Sequence, residues 1–169
     1  MKKIISEKLS RILKNKKRLE AKLKVKITNR GKEVYISGKP LDEYTAAKVI
    51  DALNFGFRYT DAISIKENDF IFEIINIKDH TKRHDLIRIR ARIIGKEGKT
   101  KNTLENLTSC FIELKDNEVG IVGPPEYIEN AQQAIISIIK GAKQGNVYGV
   151  LERNQIKPEP DLGLKEGFK

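Results

Sequence analysis

The feature that most constrains the fold of this chain is an internal repeat. When the sequence is shifted by 85 residues against itself, residues 19–56 align with residues 104–141 without a gap. Eleven aligned positions are identical: Leu19/Leu104, Glu20/Glu105, Ile27/Ile112, Glu33/Glu118, Val34/Val119, Ile36/Ile121, Gly38/Gly123, Pro40/Pro125, Ala46/Ala131, Ile50/Ile135 and Gly56/Gly141. Most of them are glycines, prolines and apolar residues, which mark turns and buried faces. The chain therefore contains two copies of one small module.

Each copy has the same predicted order of elements. A helix with a Leu-Glu pair precedes two short strands joined by a turn, and a proline then starts an amphipathic helix. The predicted strands are 24–29 and 33–37 in the first copy, and 110–114 and 118–122 in the second. Gly56 and Gly141 stand where a glycine commonly ends the last helix. Both copies are thus predicted to bury helices against one face of a small sheet.

The segment before the second copy adds a strand and an ambiguous element. Residues 70–77 (FIFEIINI) predict a strand. Residues 86–94 (LIRIRARII) alternate apolar residues with arginine, as a strand does, but Leu86, Ile89 and Ile93 also form a helical stripe. Periodicity alone does not decide between the two structures. If 86–94 is a helix, the second copy contains a three-stranded sheet with three helices against it.

Residues 95–98 form a loop with the sequence Gly-Lys-Glu-Gly, and a helix is predicted over 102–108. Glycines let the backbone approach a ligand closely, and the start of a helix offers unpaired N–H groups and a positive dipole end. A P-loop, which would bind a nucleotide with Mg²⁺, is the least favoured alternative because Ile93 stands where that motif needs its first glycine. The pattern therefore favours a phosphate-binding loop, with an ordinary surface turn as the alternative.

The net charge of +10 is unevenly distributed. Residues 1–30 contain 12 Lys and Arg against two acidic residues, whereas residues 31–169 contain 21 basic and 21 acidic residues. Within that neutral part, residues 82–101 around the loop contain eight basic and two acidic residues. Clustered positive charge attracts polyanions and binds them with release of counterions. We therefore expect a polyanionic partner at the loop, while the N-terminal cluster is equally consistent with a solvated helix face.

Composition excludes several other classes of function. No apolar run approaches the ~20 residues of a membrane span, and no secretory pattern follows Lys2 and Lys3. The single cysteine, Cys110, excludes an intramolecular disulfide, and two histidines, His80 and His84, are too few to predict a metal cluster. The sequence also shows no pattern of a nucleophile with a matching general acid and base. The sequence therefore predicts a cytoplasmic protein that is not an enzyme and uses no cofactor or metal.

Longer strings around these elements resemble a known family. They are FEIINIKD at 72–79, RARIIGKEGKT at 90–100, LENLT at 104–108, VGIVG at 119–123 and GAKQGNVY at 141–148. Together they are similar to the archaeal two-KH-domain ribosome-assembly proteins of the Dim-two / partner-of-Nob-one family. The resemblance implies an α+β fold of two tandem type I (eukaryotic-type) KH domains. Each is a three-stranded antiparallel sheet packed with helices, and the first one is degenerate.

The resemblance also implies a function and partners. The implied function is that of a single-stranded RNA-binding protein that acts as a small-ribosomal-subunit assembly factor and contacts the 3′ end of the small-subunit (pre-)rRNA. The implied partners are that rRNA, a PIN-domain endonuclease and the alpha subunit of initiation factor two, with no membrane. The alternative is a protein-binding adaptor or scaffold in translation or rRNA processing with incidental RNA contact. The adaptor hypothesis predicts weak RNA affinity that does not depend on the loop.

The expected RNA-binding residues surround the loop. Glycines allow close approach of the backbone, basic side chains neutralise phosphates, and isoleucines form an apolar wall for bases. The set is Gly95, Lys96, Glu97, Gly98, Lys99, Lys101, Arg88, Arg92, Ile94 and Ile112. Leu104 and Phe111 are further candidates for the wall, with core packing as the favoured alternative for both.

The first copy departs from the pattern of the family. The shift of 85 residues places residues 10–13 (SRIL) opposite the loop, so no phosphate clamp is expected there. The strand at 70–77 would map before Met1, so either residues 2–5 form a short first strand or that strand is absent. The family often has a histidine near the end of the second module, where this chain has Gln144.

These observations predict a division of the chain into domains. We expect a first KH-like domain at 1–60 without a G-x-x-G loop, a second KH domain at 68–153, and a flexible C-terminal tail at 154–169. The short connection at 58–68 and the isoleucine-rich surfaces favour two modules that pack as a rigid pair.

Overall fold

The computed structural model describes residues 1–155, and the tail predicted for 154–169 lies outside the described residues from position 156 onwards. The first half contains strands β1 (Lys2–Ile5), β2 (Lys26–Arg30) and β3 (Glu33–Ser37), and helices α1 (Leu9–Lys14), α2 (Lys16–Leu23), α3 (Pro40–Phe55) and α4 (Tyr59–Glu67). The second half contains β4 (Ile71–Asn76), β5 (Phe111–Lys115) and β6 (Glu118–Gly123), and α5 (Leu86–Ile94), α6 (Lys99–Thr108), α7 (Pro125–Ile139) and α8 (Gln144–Asn154). Short 3-10 turns occupy Ile77–His80 and Lys96–Gly98.

Each half contains one three-stranded antiparallel sheet, in the orders β1-β3-β2 and β4-β6-β5. Ile27 pairs with Ile36 in the first sheet, and Ile112 pairs with Ile121 in the second. All four isoleucines are identical positions of the repeat and are buried. The repeat therefore encodes the same strand register twice. The predicted α+β fold with two helix-covered antiparallel sheets is confirmed.

The N-terminal residues form the short first strand. β1 pairs with β3 from Lys2 opposite Ile36 to Ile5 opposite Glu33. The chain that follows β1 is held by Asn54 of α3, whose side-chain oxygen accepts hydrogen bonds from the Ser6 hydroxyl at 3.2 Å and from the next two backbone N–H groups. Of the two alternatives for residues 2–5, the short strand is the one that forms.

Residues 86–94, which periodicity left undecided, form helix α5. A strand would place Ile87, Ile89 and Ile93 on one face, since all three are odd positions. In the structure Ile89 and Ile93 are 2% and 0% exposed, whereas Ile87 is 83% exposed. A period of 3.6 residues explains this pattern and a period of two does not.

Two helices that follow the repeated segments were not predicted. The connection at 58–68 is largely helix α4, whose Ala62, Ile63 and Ile65 are buried in the core of the first half. Helix α8 follows α7 and buries Val147 and Leu151 in the core of the second half. The second half thus has four α-helices where three were predicted. Both additional helices are short and have weak apolar stripes, so their signal in the sequence is small.

An aromatic interface joins the two halves. It consists of Phe55 and Phe57 from the end of α3 and Phe72 from β4, with ring centroids 5.7 to 5.9 Å apart. Gly120 in β6 provides the space, since a Cβ there would lie 2.7 Å from Phe55 Cε1 and 3.0 Å from Phe57 Cε2. Phe55 and Phe57 are buried and Phe72 is half-buried, and the two edge-to-face pairs that Phe72 forms add to the stabilisation from buried area. This packing supports the expected rigid pairing of the two modules.

The only cysteine of the chain is buried and should be unreactive. Cys110 is 2% exposed, its thiol donates to the Thr108 carbonyl oxygen at 3.3 Å, and burial raises the pKa of the thiol to about 11. We expect iodoacetamide at pH 8 to leave the native protein unmodified and to label it in guanidinium chloride, because the thiolate is the reactive form. Mass spectrometry checks this result, and rapid labelling of the native protein would contradict it.

In residues 1–155 no helix combines the length and the apolar character that a membrane span requires. Over the same residues, no group of three or more His, Cys, Asp or Glu side chains is arranged to hold a metal ion.

Candidate nucleic-acid interface

The glycine loop is a tight turn between two helices. Helix α5 ends at Ile94, the Gly98 N–H donates to the Gly95 carbonyl oxygen at 3.2 Å, and α6 begins at Lys99. Glu97 between the glycines also has a positive φ, of 56°. No side chain caps the start of α6, and its first turn contains no acidic residue. The Lys99 N–H already donates to the Lys96 carbonyl oxygen, so an anion at the start of α6 would use the N–H groups that follow it in the first turn.

The two glycines of the loop differ in whether another residue fills the space where a side chain would lie. Gly95 has φ 76° and ψ 173°, a region that is nearly restricted to glycine. A Cβ on Gly95 would lie 2.7 Å from both the Cβ and the backbone N of Thr100, so Thr100 occupies that space. Gly98 is left-handed, with φ 75° and ψ 12°, and a Cβ there would meet nothing within 4 Å. The side-chain direction is thus open to a ligand at Gly98 and filled by Thr100 at Gly95.

The basic residues beside the loop fall into two groups. Lys96 and Lys99 are exposed, and neither forms an ion pair within residues 1–155. The side chain of Arg88 is 82% exposed, with only a 4.0 Å contact to Asp85. These three cations are free to neutralise phosphates.

Lys101 and Arg92 already have protein partners. Burial lowers the pKa of Lys101, but its hydrogen bonds and charge pairing with Glu105 and Glu113 outweigh this, so the pKa is raised. The Lys101 Nζ lies 2.9 Å from Glu105 and 3.6 Å from Glu113. The Arg92 guanidinium donates to the carbonyl oxygens of Ile138 at 3.0 Å and Ala142 at 2.5 Å, at the end of α7. A role of either residue in binding RNA stays a prediction.

The apolar residues of the predicted wall are mostly in the cores. Ile112 is 1% exposed and Leu104 is fully buried, both in the core of the second half. Phe111 lies on the other face of the sheet, where it packs against the first core and lies 6.4 Å from the Phe70 ring. Ile94 is half-buried directly before the loop. Of these four candidates, only Ile94 combines a position beside the loop with an accessible surface.

Gln144 contacts the loop but was not among the predicted site residues; the sequence marked it only as standing where the family often has a histidine. Its side-chain amide donates to the Arg92 carbonyl oxygen at 3.1 Å and to the Thr100 hydroxyl at 3.2 Å. Gln144 is the first residue of α8, 44 positions beyond Thr100. Its contact with the loop therefore depends on the position of a helix that was not predicted.

The first half has no equivalent of the loop. Helix α1 runs through residues 10–13, and only Asn15, with φ −107°, separates it from α2. The Asn15 side-chain amide donates to the Arg11 carbonyl oxygen at 2.9 Å, within the same turn. The joint is thus closed by local hydrogen bonds.

A helix–G-x-x-G–helix unit on a three-stranded antiparallel sheet defines the second half as a KH module, a class that clamps about four nucleotides. A family model described as a eukaryotic-type KH domain (KH-domain type I), that of the second KH domain of PNO1, matches residues 71–156. That match covers half of the chain. The chain therefore belongs to the Dim2/PNO1 family of KH-domain proteins, and the resemblance found in its sequence is confirmed.

Individual relatives support this assignment. The KH domain-containing protein MJ0443 of Methanocaldococcus jannaschii is 32% identical over 119 residues, which are 70% of this chain and 52% of that protein. The pre-rRNA-processing protein PNO1 of Eremothecium gossypii is 40% identical over 108 residues, or 62% of this chain and 40% of that protein. The chain thus spans about half, or less, of the length of the curated relatives it matches.

Solved structures match over a larger share. Dim2p from Pyrococcus horikoshii OT3 superposes with a TM-score of 0.83 at 29% identity and covers 90% of this chain and 98% of that one. The a/eIF2alpha–aDim2p–rRNA complex from the same organism contains a chain that matches with a TM-score of 0.82 at 30% identity, covering 90% and 92%. The likeness therefore extends over both halves of the structure.

Proposed function

We propose that this chain is a single-stranded RNA-binding protein that acts as a small-ribosomal-subunit assembly factor. Its ligand is the 3′ end of the small-subunit (pre-)rRNA. The observation that supports this most directly is the loop at 95–98. Its open Gly98, the uncapped start of α6 and the unpaired Lys96 and Lys99 form one phosphate-binding surface.

The relatives support the choice of ligand. Several are named pre-rRNA-processing proteins, and one structural neighbour was solved as a complex with a/eIF2alpha and rRNA. For this chain we propose the same two kinds of partner, together with a PIN-domain endonuclease. The protein itself acts by binding and not by catalysis, in the cytoplasm.

The proposed mechanism is phosphate capture followed by base packing. The N–H groups at the start of α6 and the ammonium groups of Lys96 and Lys99 hold the backbone of the RNA, which supplies most of the affinity. Arg88 extends the same charge along α5. The half-buried Ile94 provides apolar surface beside the held phosphates, and a base stacks or packs there without being identified. Sequence preference is therefore modest unless other residues read base edges.

A protein-binding adaptor is the second candidate, and the first half favours it. That half has no glycine loop, yet it exposes Leu41 and Tyr44 on α3 by 75% and 54%. Exposed apolar surface on a helix that lacks a glycine loop is suited to a protein partner. The two candidates differ in whether RNA affinity depends on the loop.

The decisive experiment reverses the charge of Lys96 in the loop. Lys96→Asp with Glu97→Asp should lower the affinity for a single-stranded RNA of the rRNA 3′ end by about tenfold to a hundredfold, because each charged hydrogen bond contributes about 1.5 to 3 kcal/mol. The slope of log affinity against log salt should shrink by about 0.7 for each lost phosphate contact. Fluorescence anisotropy over a salt series measures both quantities.

The matched control is Lys66→Asp with Glu67→Asp at the end of α4, where the same dipeptide occurs away from the loop. It changes the net charge by the same amount as the loop variant does. It should therefore weaken binding only slightly, and by a similar factor for every RNA sequence. Equal affinity of both variants and the wild type would reject the loop as the RNA site and favour the adaptor.

A further inference from the structure

We propose that Gln144 is a positioning residue of the glycine loop, through which α8 sets the conformation that binds phosphate. This inference deepens the proposed function and rests on it for its consequence in RNA binding. Gln144 itself faces the inner side of the loop and is half-buried, so it does not supply charge to a ligand.

The two hydrogen bonds of Gln144 close the loop from behind. One acceptor, the Arg92 carbonyl oxygen, precedes the loop, and the other, the Thr100 hydroxyl, follows it. A single amide group has two N–H donors, so one side chain can connect the end of α5 to the first turn of α6. The connection fixes the separation of the two helices on either side of the glycines.

Thr100 links this connection to Gly95, the glycine of the loop that is packed against it. It is 6% exposed, and its Cβ and backbone N fill the space where a side chain of residue 95 would stand. Gln144 therefore holds the residue against which Gly95 packs. A shift of Thr100 would release Gly95 and, through the 3.2 Å bond between the Gly98 N–H and the Gly95 carbonyl, the whole turn.

Helix α8 is itself fixed relative to the loop. The Arg92 guanidinium donates to carbonyl oxygens of Ile138 and Ala142 at the junction of α7 and α8, and Val147 of α8 is buried in the second core. Arg92 thus contributes at both ends: its side chain holds the junction, and its carbonyl accepts from Gln144. The junction and the loop form one hydrogen-bonded unit.

The chain offers a matched pair of variants. Gln155, next to the other end of α8, donates through the same amide nitrogen to the Leu107 carbonyl oxygen of α6 at 3.3 Å, away from the loop. Replacing either glutamine with methionine keeps the length of the side chain and removes its donors. Gln144→Met and Gln155→Met each remove contacts between α8 and the α5–α6 pair, but only the first affects the loop.

The test compares both variants by hydrogen exchange and by RNA binding. In Gln144→Met, exchange of the amides at 95–100 should be about tenfold faster, and affinity for single-stranded RNA about tenfold weaker, which is the loss expected for one to two hydrogen bonds. In Gln155→Met both should equal the wild type. Thr100→Val keeps the shape of Thr100 and removes its hydroxyl. When it is combined with Gln144→Met, the loss of affinity in the double variant should be smaller than the sum of the two single losses.

The outcomes separate this inference from the proposed function. Unchanged exchange at 95–100 in Gln144→Met overturns the positioning role, whatever happens to RNA affinity. Equal effects of both methionine variants also overturn it, since they indicate a general contribution to stability. If the wild type binds no RNA, the proposed function fails, while the exchange data still decide whether Gln144 holds the loop.

Discussion

Gly95→Ala is expected to destabilise the protein by about 3 kcal/mol, whereas Gly98→Ala should cost only about 1 kcal/mol. The two glycines have nearly the same φ, 76° and 75°, so the difference arises from ψ and from the surroundings. At Gly95 a methyl group would meet the backbone N of Thr100 at 2.7 Å, which no rotamer change relieves. At Gly98 the methyl group enters open space, and only the left-handed backbone is penalised.

Guanidinium unfolding followed by circular dichroism measures both free energies. Gly98→Ala should remain folded, so any loss of its RNA affinity is due to the loop itself. Gly95→Ala should in addition show rapid amide exchange at the start of α6. Similar stability losses for the two variants would contradict the packing of Thr100 in place of a side chain at residue 95.

Gly120→Val is expected to cost about 3 kcal/mol, because the added side chain overlaps the rings of the aromatic interface. The nearest ring atoms, Cε1 and Cδ1 of Phe55, would lie 2.7 and 2.9 Å from the new Cβ. Phe57 lies 3.0 Å away on the same side, so the rings have little room to retreat. The valine should therefore separate the two halves or distort β6.

A double-mutant cycle identifies the cause. Phe55→Leu shortens the side chain that meets residue 120, so combining it with Gly120→Val should recover about 1 to 2 kcal/mol relative to additivity. The control cycle combines Phe55→Leu with Gly98→Ala, which are not in contact and should be additive. Additive behaviour of both cycles would show that the overlap at Phe55 is not the source of the loss.

The sequence determines much of the fold because the repeat marks it twice. Identical apolar, glycine and proline positions gave the strands of both hairpins within one or two residues, and the sheet orders follow from their pairing. Residues 86–94 could not be assigned because arginines alternate with apolar residues there while Leu86, Ile89 and Ile93 keep helical spacing. Burial of Ile89 and Ile93 against other elements decides the structure, and a local pattern does not contain that information.

The candidate site could be located from the sequence but not resolved into roles. A G-x-x-G string marks the loop, yet which of its glycines faces a ligand depends on Thr100 packing against Gly95. Likewise, Lys101 and Arg92 look like free cations in a basic run, but Glu113 and the carbonyls at the end of α7 bind them. Partners that are distant in sequence decide each of these roles, and so does the contribution of Gln144.

The aromatic interface also has a consequence for synthesis of the protein. Phe55 and Phe57 leave the ribosome before Phe72, and well before Gly120 of β6, against which they pack. A nascent first half therefore presents two uncovered rings until more than 50 further residues have been translated. Exposed aromatic surface of this kind promotes aggregation and is bound by chaperones. We therefore expect translation speed across residues 58–120, and not only the stability of the finished fold, to affect how much native protein a cell obtains.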